Sequence, residues 1–207
     1  MIDAGDLSER LELLELEETQ ADTWEWVSRG RLWAQVEVDG GNNLFSSKNL
    51  FSSVGIGARN AKLVLRARPL SLCQALRWRG QHLFLTGITK LDRMHLNVQA
   101  ALVNVVTCLA TRTEDTVGAA GRPVAAETMR ISFPGILTEK YAKYEREETH
   151  AENDTGYVLV VPKAISLKAG DLVTVQDGPA KAVYAVTICH VLDQFKNEYE
   201  IARRGDV

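Results

Sequence analysis

Residues 32–38 read Leu32-Trp33-Ala34-Gln35-Val36-Glu37-Val38, and their alternation decides the fold class. Leu32, Ala34, Val36 and Val38 fall on one side and Trp33, Gln35 and Glu37 on the other, the period of two that a half-buried strand requires. Working outward, the same period returns at residues 61–67, where Leu63, Leu65 and Ala67 face one way and Arg68-Pro69 ends the strand. Residues 74–78, a turn at Arg79-Gly80-Gln81 and residues 82–88 read as a β-hairpin, and residues 96–107 as the last strand of this half. Upstream, a polar turn over residues 19–23 leads to Trp24-Glu25-Trp26-Val27. Residues 8–18 are ambiguous: Leu7, Leu11 and Leu14 have helical spacing, whereas Leu11 with Leu13, and Leu14 with Leu16, have strand spacing. Propensity alone favours a helix capped by Ser8.

The second half repeats the style. Met129 to Gly135 opens it, a charged stretch over residues 139–154 follows, and strands are expected over residues 156–161, 172–175, 182–191 and 198–203. Short strands with turn signals every 8 to 12 residues imply small barrels or sandwiches. Thr113 to Val124, with two glycines and a proline, reads as a linker. The expected fold is therefore mainly β, two small β-barrel or sandwich domains in tandem, residues 1–112 and 125–207. Weak internal matches set Leu70-Ser71-Leu72, Trp78-Arg79-Gly80 and Leu85-Thr86-Gly87-Ile88 against Ile165-Ser166-Leu167, residues 175–178 and Val186-Thr187-Ile188.

Composition narrows the chemistry. The 207 residues are 45% hydrophobic and 25% charged, the balance of a globular protein, and the net charge of −3 gives no basic field for gripping a phosphate backbone. The acidic start, Asp3 and Asp6, is unlike a secretory signal, and no apolar run approaches the roughly 20 residues of a membrane span, so cytoplasmic assembly without a membrane partner is expected. Cys73, Cys108 and Cys189 are widely separated, each in an apolar run, and read as small buried hydrophobes.

No P-loop, G-x-G-x-x-G, G-x-S-x-G or H-E-x-x-H occurs. His82, His95, His150 and His190 lie in different elements without partners at metal-ligand spacing, and His190 and Cys189 would point to opposite faces of a strand. The paired carboxylates Glu17-Glu18 and Glu147-Glu148 sit in solvated runs, unlike a catalytic dyad in one cleft. No catalytic residue, cofactor or metal is expected. Trp24, Trp26 and Trp33, near Arg29 and Arg31, could stack single-stranded bases, but packing across a hairpin as core or subunit interface is the stronger reading, extended to Trp78. Between the strands, residues 39–60 form a loop long for a compact domain. It holds a direct repeat, Asn43-Leu44-Phe45-Ser46-Ser47 then Asn49-Leu50-Phe51-Ser52-Ser53, with large apolar side chains that must fold back or meet another subunit.

The landmarks come in an order: Gly5-Asp6-Leu7 with Arg10, Trp26-Val27, Leu32-Trp33-Ala34-Gln35-Val36, a long loop, Leu63-Val64-Leu65-Arg66, Leu76-Arg77-Trp78-Arg79-Gly80, Phe84-Leu85-Thr86-Gly87-Ile88 and Arg93. In this order and spacing the first half resembles the head-tail joining family of tailed bacteriophages, the head-closure or stopper connector proteins. The resemblance implies a non-enzymatic β-barrel that forms a homo-oligomeric ring in the virion neck, with the portal or an adaptor on the head side and a tail-completion protein on the other. It implies a strand for residues 8–18, and a channel loop over residues 39–60 facing passing double-stranded DNA without sequence-specific binding. Leu44, Phe45, Lys48, Leu50 and Phe51 are its expected channel or subunit-contact residues. Another virion ring component, such as an adaptor or tail terminator, and a single-strand nucleic-acid-binding barrel remain as alternatives. The chain is about twice the usual family length, and the second half matches no landmark of the family.

Overall fold

The computed structural model describes residues 4–38, 58–117, 123–139 and 156–206. Among these are twelve strands and one short 3-10 turn, Ala4–Asp6, so the fold is mainly β. The chain divides into two compact units: residues 1–17 with 26–105, and residues 18–25 with 106–207.

Unit 1 is built on β1 (Glu9–Gln20), β2 (Thr23–Val38), β3 (Arg59–Arg66), β4 (Ala75–Trp78), β5 (Gln81–Lys90) and β6 (His95–Val103). They pair in the order β1-β4-β5-β6-β3-β2, and β2 pairs again with β1, so the ladder closes on itself. The alternation in 32–38 and 61–67 is used as the period demands: Ala34, Leu63 and Leu65 are buried, with Ala34 opposite Leu65 and Leu63 opposite Val98. Residues 9–20 are strand rather than helix. Leu11 and Leu14 are fully buried, and Leu11 and Leu13 pair with Trp78 and Leu76. Burying each leucine gives about 1.5–3 kcal/mol, several times the few tenths per residue that helix propensity offers.

Two boundaries differ from the sequence reading. Trp24, Trp26 and Trp33 lie on one continuous strand rather than across a hairpin, because β2 runs through Gly30, whose φ of 148° is open to glycine alone among common residues. The last strand of unit 1 stops at Val103, and Val106 already begins the next. A two-residue turn joins β4 to β5 at Arg79 (φ 50°) and Gly80 (φ 82°), the left-handed pair that matches strand twist.

Unit 2 contains β7 (Val106–Val117), β8 (Pro123–Glu139), β9 (Tyr157–Pro162), β10 (Leu172–Asp177), β11 (Ala180–His190) and β12 (Lys196–Asp206). Of the stretch read as a linker, residues 113–117 and 123–124 are instead paired strand, from Thr113↔Glu127 to Val117↔Pro123 of the β7–β8 ladder. The order β8-β7-β10-β11-β12-β9, with β9 returning to β8, is again closed. In both units the first strand pairs with the second and fourth, the fourth with the fifth, the fifth with the sixth, the sixth with the third, and the third with the second.

The likeness extends to local detail. A bulge falls between Leu85 and Gly87 on β5 and between Val186 and Ile188 on β11, the two places the internal match had aligned. Asp92 Oδ1 accepts the backbone N–H groups of Met94 (2.6 Å) and His95 (2.8 Å), and Asp193 Oδ1 accepts those of Phe195 (2.7 Å) and Lys196 (3.1 Å). Ala67 N–H donates to Met94 O at 2.7 Å, as Lys163 N–H does to Phe195 O at 3.1 Å.

Polar groups tie down unit 2. Asp171, 2% exposed, receives Arg112 Nε and Nη2, both at 2.7 Å, and the Lys168 N–H at 2.7 Å. Tyr199 OH donates to Ile165 O (3.2 Å) and accepts from the Leu167 N–H (2.9 Å).

Candidate functional site

Of the expected channel loop, residues 39–57, with Leu44, Phe45, Lys48, Leu50 and Phe51, lie outside the described residues, and its last two residues, Arg59 and Asn60, are instead the start of β3, paired with Leu102 and Ala101. What the structure does fix is where that segment leaves and re-enters unit 1: after Val38 on β2 and before Arg59 on β3. The corresponding connection in unit 2 lies between β8 and β9.

The four tryptophans occupy four different surroundings. Trp24 is half-buried and belongs to the segment grouped with unit 2. Trp26 is half-buried against His82, ring centroids 5.2 Å apart and planes tilted by 52°. Trp78 is half-buried at the end of β4 and packs against the hydrophobic core of unit 1, its indole N–H donating to Glu9 Oε2 at 2.8 Å while the Arg79 guanidinium lies 4.8 Å from its ring centre. The indole and then the arginine hold the Glu9 carboxyl below the usual carboxylate range. Trp33 is 57% exposed and therefore not core of its own unit.

Trp33 stands at the wall of a hollow of about 550 Å³ in unit 1, floored by Leu7, Leu32 and Leu65 and rimmed by Arg66 and Arg68. The floor follows from strand parity: Leu32 and Leu65 point inward on β2 and β3, and their neighbours Trp33 and Arg66 therefore point out. The Ala67 N–H to Met94 O bond brings the β5–β6 turn to this end, with Leu91 and Met94 exposed beside Arg93. The equivalent β11–β12 turn also exposes apolar side chains, Val191 and Leu192.

The remaining titratable groups are dispersed. Glu12 meets Arg31 and Arg77, Glu15 and Glu17 meet Arg29, and Glu9 meets Arg79, a ladder of exposed pairs worth little individually. His95 pairs with Asp92 and His190 with Glu200. No group of three His, Cys, Asp or Glu side chains suited to a metal occurs among the described residues. Of the cysteines, Cys108 is buried and its thiol is pushed up to about 12 by burial, Cys189 is half-buried, and Cys73 is exposed, against the expectation that all three are core. Cys73 sits in the turn before β4, where its N–H meets the Ser71 hydroxyl, and the apolar run around it had suggested a strand that does not form.

Sequence reasoning missed His82. It is 8% exposed, its Nε2 has no hydrogen-bond partner, and burial, with Arg77 nearby, pushes its pKa down to about 4. Its alternation with Phe84 could have flagged an inward-facing polar group, but a histidine at a strand start is also compatible with solvent. No helix among the described residues is long and apolar enough to cross a membrane.

No protein-family model matches this chain, and no curated protein matches it.

Proposed function

We propose that the chain is a structural subunit of the head-tail connector ring of a tailed bacteriophage, closing the DNA channel below the portal and offering a surface to the tail. The observation that carries the reading is the place of the long segment 39–58: it joins the second and third strands of a closed barrel on which the ordered sequence landmarks lie in succession. Leu32 to Val36 are on β2, Leu63 to Arg66 on β3, Leu76 to Gly80 on β4 and its turn, and Phe84 to Ile88 on β5. A barrel held by continuous ladders is a rigid frame, and function on such frames resides in the loops they position. Exposed apolar side chains at the equivalent turns of both units, Leu91 with Met94 and Val191 with Leu192, favour assembly with other proteins.

On this reading the chain forms a homo-oligomeric ring, meets the portal or an adaptor on one side and a tail-completion protein on the other, and lets DNA pass without binding its sequence. Cryo-electron microscopy of the virion neck tests it directly, since density for this chain elsewhere in the particle would overturn it. Deleting residues 43–53 should leave particles that assemble but leak DNA, and tight particles after that deletion would reject the channel loop. Imaging tailless heads carrying the protein separates a connector from a tail terminator.

A further inference from the structure

We propose that the Trp33 hollow of unit 1 docks an acidic segment of a protein partner, which seats one aliphatic or aromatic side chain on the leucine floor and places its carboxylates on Arg66 and Arg68. The inference deepens the assembly reading above by naming the chemistry of one contact.

Three observations carry it. The first is the shape and lining: about 550 Å³ is within the range of small recognition pockets, and the floor is apolar and buried while its wall is a tryptophan 57% exposed. Tryptophan and arginine are also the residue types that most often dominate the energetics of protein contacts. The second is charge. Arg29, Arg31, Arg77 and Arg79, all in the same unit, are each paired with a glutamate, whereas the side chains of Arg66 and Arg68, like those of Arg10, Arg59 and Arg93, have no ion pair or hydrogen bond among the described residues, and of these five only Arg66 and Arg68 line the hollow. Two uncommitted planar guanidiniums above an apolar floor complement carboxylates beside an apolar anchor.

The third is an internal control. Ala67 and Lys163 make the same hydrogen bond to equivalent turns, so Arg66 corresponds to Pro162 and Arg68 to Ala164. Ala34 pairs with Leu65 and Ile136 with Val160, which sets Trp33 opposite Arg66 and, by the same register, Pro134 opposite Pro162. Unit 2 thus closes the same ladder with two prolines and an alanine at these places. The nearby Lys163 is occupied by Val191 O (2.6 Å) and Asn197 Oδ1 (3.1 Å). The barrel does not need an exposed tryptophan and two free arginines here, so they answer to something outside the unit.

A nucleic acid fits less well. Phosphates gain nothing from the leucine floor, two arginines release few counterions, and the chain is acidic overall.

The test uses the intact protein and a displayed library of random peptides. The expected result is enrichment of peptides that combine Asp or Glu with a large apolar residue. Their affinity should fall about thirtyfold in Trp33→Ala, the scale of a hot-spot truncation, and further in the double variant Arg66→Glu/Arg68→Glu. Circular dichroism serves to check that the variants fold, as expected of substitutions at exposed positions. No enrichment, enrichment of basic peptides, or binding indifferent to Trp33 overturns the proposal. So does tighter binding of a single- or double-stranded oligonucleotide that Trp33→Ala abolishes, or self-association that Trp33→Ala abolishes, which would assign the hollow to nucleic acid or to a second copy. The library reads the hollow alone and neck imaging reads the location, so either idea can fail while the other stands.

Discussion

Replacing Asp171 with alanine should be among the most damaging single changes in unit 2. The carboxylate is 2% exposed and receives both Arg112 Nε and Nη2 at 2.7 Å and the Lys168 N–H at 2.7 Å, while its own backbone carbonyl takes the Val186 N–H at 2.9 Å. The side-chain contacts hold the β9–β10 connection against β7. Without the carboxylate, the Arg112 guanidinium, whose side chain is only 17% exposed, is left charged and unpaired, and breaking such a pair costs about 3–5 kcal/mol. The orphaned Lys168 N–H adds to this, but not in full, because water can reach a loosened turn. We expect a net loss of roughly 3–4 kcal/mol and a fall in Tm of roughly 10–20 °C for a unit of this size. The double variant Arg112→Met/Asp171→Leu removes both charges together and should recover most of the loss, since apolar replacements of buried pairs are often neutral or better. Urea and thermal unfolding of the full chain, with hydrogen exchange of β7 and β10 amides to locate the change, provide the measurement. A cost below about 1 kcal/mol for Asp171→Ala, or a double variant no better than the single, would refute the reasoning.

Three further outcomes follow from the same geometry. His82 is neutral when folded and titrates at about 4, below its ordinary 6.5, so the unfolded chain binds more protons and stability should fall as pH drops from 6.5 towards 4, by at most about 3 kcal/mol. Comparing the pH dependence of unfolding with that of His82→Leu isolates this slope from the carboxylates, and identical slopes would rule it out. A Cβ at Gly135 would lie 2.9 Å from Leu159 Cδ1 and 3.0 Å from Cys108 Sγ, so Gly135→Ala should cost about 1–3 kcal/mol in urea unfolding and be partly rescued by Cys108→Ala. Tyr199→Phe strands the buried Leu167 N–H while Ile165 O keeps the Asn197 amide, so a loss of about 1–2 kcal/mol should appear together with faster hydrogen exchange at Leu167.

The β class was legible because burial on one face writes a period of two into 32–38 and 61–67. Where that signal failed, a second force had entered. Residues 9–20 carry a helix-forming composition, and it is pairing with β4, where Leu11 and Leu13 meet Trp78 and Leu76, and with β2 that makes them strand. Residues 24–27 and 32–38 read as two strands, yet Gly30 between them lets one strand continue through an unusual φ. Residues 113–124 carry the glycines of both a linker and a hairpin, and composition cannot distinguish them. The Arg112–Asp171 pair spans 59 residues of sequence and the Trp33 hollow gathers side chains from Leu7 to Arg68, so neither has a local signature. The tryptophans were visible as a cluster, but only strand direction and pairing separate Trp26 on His82 from Trp33 in solvent.

The two units agree in what fixes the backbone and differ in what faces outward. Asp92 and Asp193 close their turns with the same pair of backbone hydrogen bonds, because the first residues after a tight turn present N–H groups that no ladder partner reaches. The bulges after Leu85 and Val186 bend β5 and β11 at one place, as closing six strands requires. These constraints are set by geometry and recur wherever the same ladder closes. The floor residues need only be apolar and of suitable volume, which leaves sequence free to drift. Trp33, Arg66 and Arg68 obey neither requirement: they close no turn and fill no core, and Pro134, Pro162 and Ala164 stand in their places in unit 2. Because the ladder and its hydrogen bonds persist in unit 2 without these three side chains, the docking proposal for the Trp33 hollow rests on them rather than on anything the fold requires.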